Sequence, residues 1–245
     1  METIGRAEIL AAVGHHPYAR FVAGASRDLV GLRVDGGVFW RCVGPFGPYG
    51  HVLGDAPSAL SAARAAGLLH DLDRLNVPRA AGMPAGWVLR EAWDYRWLMG
   101  ELARPATPAK VTAVAGDDAV SSLLDVAYPH SELRPGHPLV QRWYGIELDG
   151  LLVACAADRT VPTPEPGAVP TGAIGGVAVH PDYRSRGLGA VVTAAVASLL
   201  RQRHELVGLG VTEGNEAASR VYERLGFTGV HRVRSVRPST GRPGA

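Results

Sequence analysis

From residue 110 onward, apolar positions in this chain switch between a period of two and a period near three and a half, and those switches predict its elements. Residues 110–115 alternate as a short strand, whereas residues 117–127 place Val120, Leu123, Leu124 and Ala127 at helical spacing. Residues 141–148 and 151–157 flank Asp149-Gly150, a two-residue turn signal, and so predict two antiparallel strands. Residues 173–179 read as a further strand. Residues 188–201 then put Leu188, Val191, Val192, Ala195, Val196, Leu199 and Leu200 on one helical face, which predicts a helix packed on a sheet. Residues 206–212 alternate again, residues 216–224 are helical with Gly226 just past their end, and residues 227–236 supply a closing strand. The order β-α-β-β-β-α-β-α-β is that of an α/β (α+β) domain on a mixed sheet.

The first half is less regular. Residues 5–12 and 58–72 read as helices, and residues 29–34, 38–43 and 87–90 as strands. Residues 44–50 hold three glycines and two prolines and read as a turn-rich loop. Residues 87–97 carry three tryptophans and a tyrosine, a density that marks a filled core or a binding wall, and core is the reading favoured here. Three proline-rich stretches punctuate the chain: 104–108, 161–170 and 238–245. They divide it into a smaller α/β N-terminal domain over 1–105, a second domain over 108–237 and a flexible tail over 238–245.

Composition narrows the function classes. With 245 residues, 47% hydrophobic and 20% charged, the chain is an ordinary folded protein. A net charge of +2 gives no global field for nucleic acid, and the basic tail lacks interleaved aromatics. The apolar run 187–200 is shorter than the ~20 residues that span a bilayer, so no membrane span is expected. The N-terminal residues do not read as a secretory signal, and Cys42 and Cys155 form no CxxC pair, so a cytoplasmic location is expected. The histidines show no HExxH or HxxxH spacing, hence no metal is expected, and Lys110, the lone lysine, opens no phosphate loop.

The chemistry concentrates in residues 180–190. This segment joins a strand end to the long apolar helix, and its glycines, Gly187 and Gly189, let an anion approach backbone N–H groups that have no intrahelical partner. Arg184 and Arg186 add positive charge suited to a pyrophosphate. The bland alternative is that the glycines only start a helix after a turn. Gly175-Gly176 in the preceding strand marks a bulge, which would splay its neighbours. Asn215 opens the last helix, as an N-cap or as a ligand contact, and Tyr222 lies two turns on, as core or as a working phenol. Cys155, on a predicted buried strand, reads as packing.

VAVHPDYRSRGLG at 177–189 and NEAASRVYERLGF at 215–227, in this order of elements, resemble the GNAT superfamily, whose members move an acyl group from acyl-coenzyme A to an amine. The resemblance covers about residues 110–236. It implies a mixed, mostly antiparallel sheet flanked by helices, acetyl-CoA as cosubstrate and an amine acceptor, more readily a small molecule than a protein. It assigns the pyrophosphate to the main chain of Arg184, Ser185, Arg186, Gly187, Leu188, Gly189 and Ala190. It assigns the pantetheine arm to Val177, Ala178, Val179 and Asn215, and the proton for the departing thiolate to Tyr222. A homodimer is a habit of the family.

In one respect the chain departs from the family. Many members carry a glutamate on the strand before the pyrophosphate loop, and Ile174, Gly175 and Gly176 stand there instead. Glu213, Glu132, His130 and Glu147 are the substitutes considered for the base, with Glu213 placed first. The missing glutamate also motivates a second reading, a non-catalytic acyl-CoA-binding or sensing protein. The N-terminal half loosely resembles the degenerate partner domain of two-domain members, and it is expected to complete the acceptor pocket without catalysis.

Overall fold

The computed structural model describes residues 2–24, 26–44, 47–161 and 171–239. The strand-helix alternation of the second half is realised as expected: β7 (Thr112–Ala113), α4 (Asp117–Ala127), β8 (Arg142–Leu148), β9 (Leu151–Asp158), β10 (Gly172–Val179), α5 (Leu188–Arg201), β11 (Val207–Thr212), α6 (Glu216–Leu225) and β12 (Gly229–Pro238). Asp149 (φ 51°) and Gly150 (φ 78°) form the turn between β8 and β9, both in the left-handed region that this hairpin type demands. Gly226 (φ 102°) ends α6 in the same way. Helix α5 is more deeply buried than its stripe predicted, with Thr193, Ala194 and Ala197 covered, while Leu199 is 37% exposed. It lies across β8, β9, β10 and β11, so more of its surface than one stripe is covered.

The first half holds elements that periodicity did not reveal. Its order is β1 (Glu2–Ile4), α1 (Arg6–Ala12), α2 (Pro17–Gly24), β2 (Arg27–Val34), β3 (Gly37–Gly44), β4 (Gly47–Gly54), α3 (Ala56–Ala65), β5 (Arg74–Pro78) and β6 (Trp87–Trp97). The expected turn-rich loop at 44–50 is largely strand β4, paired with β3 from Gly37↔Gly54 to Gly44↔Gly47, although residues 45 and 46 lie outside the described ones. Glycine propensity loses here to packing: a Cβ at Gly50 would sit 2.7 Å from Leu72 and 3.1 Å from Phe39. The helix expected over 58–72 stops at Ala65, and β6 runs seven residues beyond the expected 87–90. The proline-rich run 162–170 and tail residues 240–245 also lie outside the described residues.

All twelve strands of the described residues join one mixed, mostly antiparallel sheet, in the order β1-β2-β3-β4-β5-β12-β6-β11-β10-β9-β8-β7. The two halves repeat one plan, an antiparallel run of three strands, a crossover helix, and a strand parallel to the third. The crossovers are β4-α3-β5 and β10-α5-β11, and both pairs are parallel. The halves then exchange their last strands: β12 pairs with β5, and β6 pairs with β11. The exchanged strands also pair with each other, from Gly229↔Trp97 to Pro238↔Trp87. Buried Arg96 of β6 reinforces the seam by donating to Glu223 Oε1 (2.9 Å) and Phe227 O (3.5 Å). The described residues form four apolar clusters, one around α5 and α6, another of Tyr18, Trp40, Tyr95 and Val233 under α1 and α2, and one each beneath α3 and α4.

A fragment of residues 107–245 lacks β6 and so exposes the facing edges of β11 and β12. We expect it to be insoluble or non-cooperative in thermal melts, and co-expression with residues 1–106 to restore a cooperative transition. A cooperative melt of the isolated fragment would show that the exchanged strand is dispensable.

Candidate active site

Strand β10 is built to leave its neighbour. Its parallel ladder with β11 covers only Gly172↔Val207, Ala173↔Gly208 and Ile174↔Leu209. Opposite β9 the register slips by one residue between Gly175 and Ala178, which is the bulge that the paired glycines predicted. Gly176 takes φ 59°, and a Cβ there would lie 2.5 Å from the Trp143 ring; one on Gly175 would meet Leu133 and Arg159 at 2.6 Å. Only glycine lets these side chains lie on the bulge. Past the bulge, the main chain of Ala178 and Val179 stays paired to β9 on one side, and from Val177 on the strand opens toward β11 on the other. Cys155 donates to Gly176 O (3.5 Å), and burial pushes its thiol up to about 12, so it packs as a neutral group, as expected.

The 180–187 segment turns from β10 into α5. A 3₁₀ turn over Pro181–Tyr183 is capped by His180, whose Nδ1 accepts from Asp182 N (3.3 Å). Ser185 (φ 61°) and Gly187 (φ 78°) both take left-handed backbone, and the first helical bond of α5 runs from Val191 N–H to Gly187 O (3.2 Å). The N–H groups of Leu188, Gly189 and Ala190 precede that bond and point out of the helix start. Gly189 has room for a side chain, its nearest neighbour being Val179 at 3.5 Å from an ideal Cβ. The arginines brace the loop: Arg184 donates to Ala127 O (3.1 Å) and Val179 O (3.3 Å), while Arg186 donates to Asp182 O (2.9 Å) and lies 4.8 Å over the Tyr183 ring. Thr107, unmarked in the sequence, donates to Arg186 O (3.0 Å), which lays the 104–108 linker over the loop.

Asn215 caps α6, its Oδ1 accepting from Ala218 N (3.1 Å), which leaves its amide NH₂ as the donor. Tyr222 is 6% exposed and sits in the α5–β11 core against Phe227, with ring centroids 6.3 Å apart. Burial pushes its hydroxyl up to about 12, so it remains a proton donor at neutral pH. Glu213, at the end of β11, is ion-paired with Arg79 (2.9 Å), whose other nitrogen binds Asp94 (2.6 Å).

A cavity of about 330 Å³ lies across the seam between the halves. From the second half it takes Gly210, Val211 and Thr212, the part of β11 that leaves β10, together with Glu132, Leu133, His137, Arg159 and Thr171. The first half supplies Arg20, Phe21, Tyr49, His51, Arg74, Asn76, Glu91 and Trp93. Trp93 is thus a wall while Tyr95 is fully buried core, so the aromatic segment serves both purposes. Glu213 is not among the lining residues, whereas Glu132 is. The residues that sequence reading missed, Arg20, Arg74, Glu91 and Arg159, carry no motif. Arg159 alone left a signal, a charge directly after an apolar buried strand.

Behind the cavity runs a buried polar chain. The Tyr18 hydroxyl and His51 Nδ1 share a hydrogen bond (3.0 Å), Asn76 Nδ2 lies 3.5 Å from the same nitrogen, and Ser235 donates to Asn76 Oδ1 (2.7 Å). Burial and then the nearby Arg74 hold His51 down at about 3; burial and His16 hold His231 at about 4. Among the described residues no helix is long and apolar enough to cross a membrane, and no cluster of His, Cys, Asp and Glu is arranged for a metal.

An FR47-like family model matches residues 167–235, the stretch from the end of the proline-rich run through β10, α5, β11 and α6 into β12. No curated protein matches the chain. Among solved structures the chain is similar to a protein of Novosphingobium aromaticivorans assigned to the GNAT family of acetyltransferases. Identity is 25% and TM-score 0.52, over 78% of this chain and 84% of that one. It is similar in fold to a GCN5-related N-acetyltransferase from Kribbella flavida (20%, TM-score 0.59, 95% and 96% covered). A GNAT-family acetyltransferase from Colwellia psychrerythraea shares the fold at 14% identity (TM-score 0.57, 97% and 99% covered). In the last two the likeness spans both halves.

The two histidines give the fold a pH dependence of known sign. Both are neutral when folded and accept protons near 6.5 when unfolded, so their contribution is complete above that pH and is lost as pH falls through about 4 and then 3. Denaturant titrations at pH 7.5, 6 and 4.5 should show stability falling by on the order of a few kcal/mol. His231→Asn should reduce that slope, and a pH-independent midpoint would refute the assignment.

Proposed function

We propose, for a chain that belongs to the GNAT superfamily of acetyltransferases, that it transfers an acetyl group from acetyl-CoA to a primary amine of a small molecule by direct attack in a ternary complex. The observation that carries this reading is the parting of β10 from β11 directly beside a helix start with free N–H groups. The residues fit the cosubstrate. The first-turn N–H groups of α5 with Gly187 and Gly189 suit a pyrophosphate, because they offer partial positive charge with no Cβ in the way. The open main chain of Val177 and Ala178, with the Asn215 amide, suits the amides of the pantetheine arm. Val179 O is already engaged by Arg184, so the hold on the arm falls chiefly to its neighbours.

The amine nitrogen bonds to the acetyl carbonyl carbon as the carbon–sulfur bond breaks. Tyr222 gives its hydroxyl proton to the sulfur, a role that a buried phenol kept neutral can fill. The amine proton goes to a carboxylate. Glu132 and Glu91 line the cavity and Glu213 does not, which favours one of the first two over Glu213. The N-terminal half supplies about half of the cavity wall, which supports a division into a catalytic domain over 108–237 and a non-catalytic partner over 1–105 that completes the acceptor pocket. A cytoplasmic location and a homodimer accompany this reading as family expectations.

Calorimetric titration with acetyl-CoA tests the premise. Gly189→Glu is the control, since the site has room and a glutamate in a first helical turn does not harm the helix. We expect the native protein to bind and the variant to bind at least tenfold more weakly with an unchanged melting temperature. No binding by the native protein would overturn the reading. Tyr222→Phe should lower kcat by about 10²- to 10⁴-fold with unchanged acetyl-CoA affinity. Unchanged kcat would remove Tyr222 from the role. Tight binding with no thiol release across a broad amine panel would favour the sensing protein instead.

A further inference from the structure

Among the described residues, the seam cavity is more cationic than its neighbours neutralise. Three arginines line it, Arg20, Arg74 and Arg159, against Glu91 and Glu132. Glu132 is taken by Arg90 at 2.8 Å. Glu91 stands 3.6 Å from Arg74, longer than the about 2.7–2.9 Å of a charge-assisted bond. The carboxylate beside Arg20 is Glu205, 3.5 Å away and 83% exposed. Among the described residues, no carboxylate lies within ion-pair distance of Arg159, whose guanidinium sits 5.7 Å over the Phe21 ring.

Among the described residues, several donors of this wall have no hydrogen-bond acceptor. Arg20 Nε and Nη2, Arg74 Nε, Arg159 Nε and Thr171 Oγ1 are all out of solvent contact and without a hydrogen-bond partner among the described residues. Leaving buried guanidinium donors unmet is costly, because they lose water and gain nothing in exchange. Five such atoms, on four residues around one cavity, describe a receptor for an anion. It is not the coenzyme's phosphate site, because none of residues 184–190 lines this cavity. The remaining wall is apolar and aromatic: Phe21, Tyr49, Trp93, Leu133 and Leu139. A volume of about 330 Å³ is at the small end of ligand pockets.

We propose that the acceptor is a carboxylate-bearing amine with an apolar side chain, of the size of a single amino acid, whose carboxylate is held by Arg159 and Arg20. Glu91, whose contact with Arg74 is long, then lies on the same cavity for its ammonium group. The proposal rests on the acetyltransferase reading only for the fate of the amine, not for the binding of the acid.

The experiment compares L-phenylalanine, L-leucine and L-methionine with their carboxamides, with 2-phenylethylamine and with O-phosphoethanolamine. Binding is read by calorimetry on the protein without coenzyme, and turnover by thiol release with acetyl-CoA. At least one of the amino acids should bind, and should react with kcat/KM at least tenfold above its amide. Arg159→Met should bring that ratio close to one by raising KM, with the affinity for acetyl-CoA unchanged. Arg159→Lys should restore part of it. If Arg159→Met does not fold, Arg20→Gln reads the same wall. Amides that serve as well as acids, or no binding by any of the amino acids, would overturn the proposal. So would a preference for O-phosphoethanolamine, which would make the site one for phosphate. Failure of acetyl-CoA to bind, with the acid preference intact in calorimetry, would instead overturn the acetyltransferase reading and leave this one standing.

Discussion

The ladder between β6 and β12 is the interaction on which the rest of the molecule depends. Each of these strands ends one half of the chain, and each completes the sheet of the other half, so neither half keeps a closed set of hydrogen bonds alone. Backbone groups of β11 and β12 that would otherwise form unpaired sheet edges are satisfied only across the seam, and edges of that kind are costly and prone to aggregation. Arg96 adds a buried charge to the same junction, matched by Glu223 and the Phe227 carbonyl. Because the join is made by exchanged strands and not by a surface contact, the halves are held in one fixed relation. A cavity built from both can therefore keep its shape.

The second constraint is local. Two parallel strands joined by a helix would normally stay paired, yet β10 parts from β11 after three residues. The extra residue at Gly175-Gly176 takes up the register on the β9 side and lets Trp143, Leu133 and Arg159 rest where any side chain would collide. One bulge thus opens the sheet, aims free main-chain groups into the opening and brings Arg159 to the cavity beyond it. Burial governs the chemistry around this opening. It keeps Tyr222 and Cys155 protonated and the Tyr18–His51 pair neutral, while among the described residues it leaves the cavity arginines short of acceptors.

Local patterning made the second half legible almost element by element, because each helix there shows one apolar stripe, each strand alternates or is uniformly apolar, and glycines mark the turns. It also marked the loop at 180–190, the bulge, the cap Asn215 and the buried Cys155, all of which are local features set by neighbours within a few residues. Strands β4 and β5 and the length of β6 were not legible, since glycine, proline and charge at those positions are overridden by pairing with distant strands. Long-range packing alone sets the exchange of β6 and β12, the engagement of Glu213 by Arg79, the bridge from Thr107 to the loop and the grouping of Arg20, Arg74 and Arg159. Those pairs are separated by dozens of residues or more in the chain, and no periodicity records which distant strands will become neighbours in a sheet.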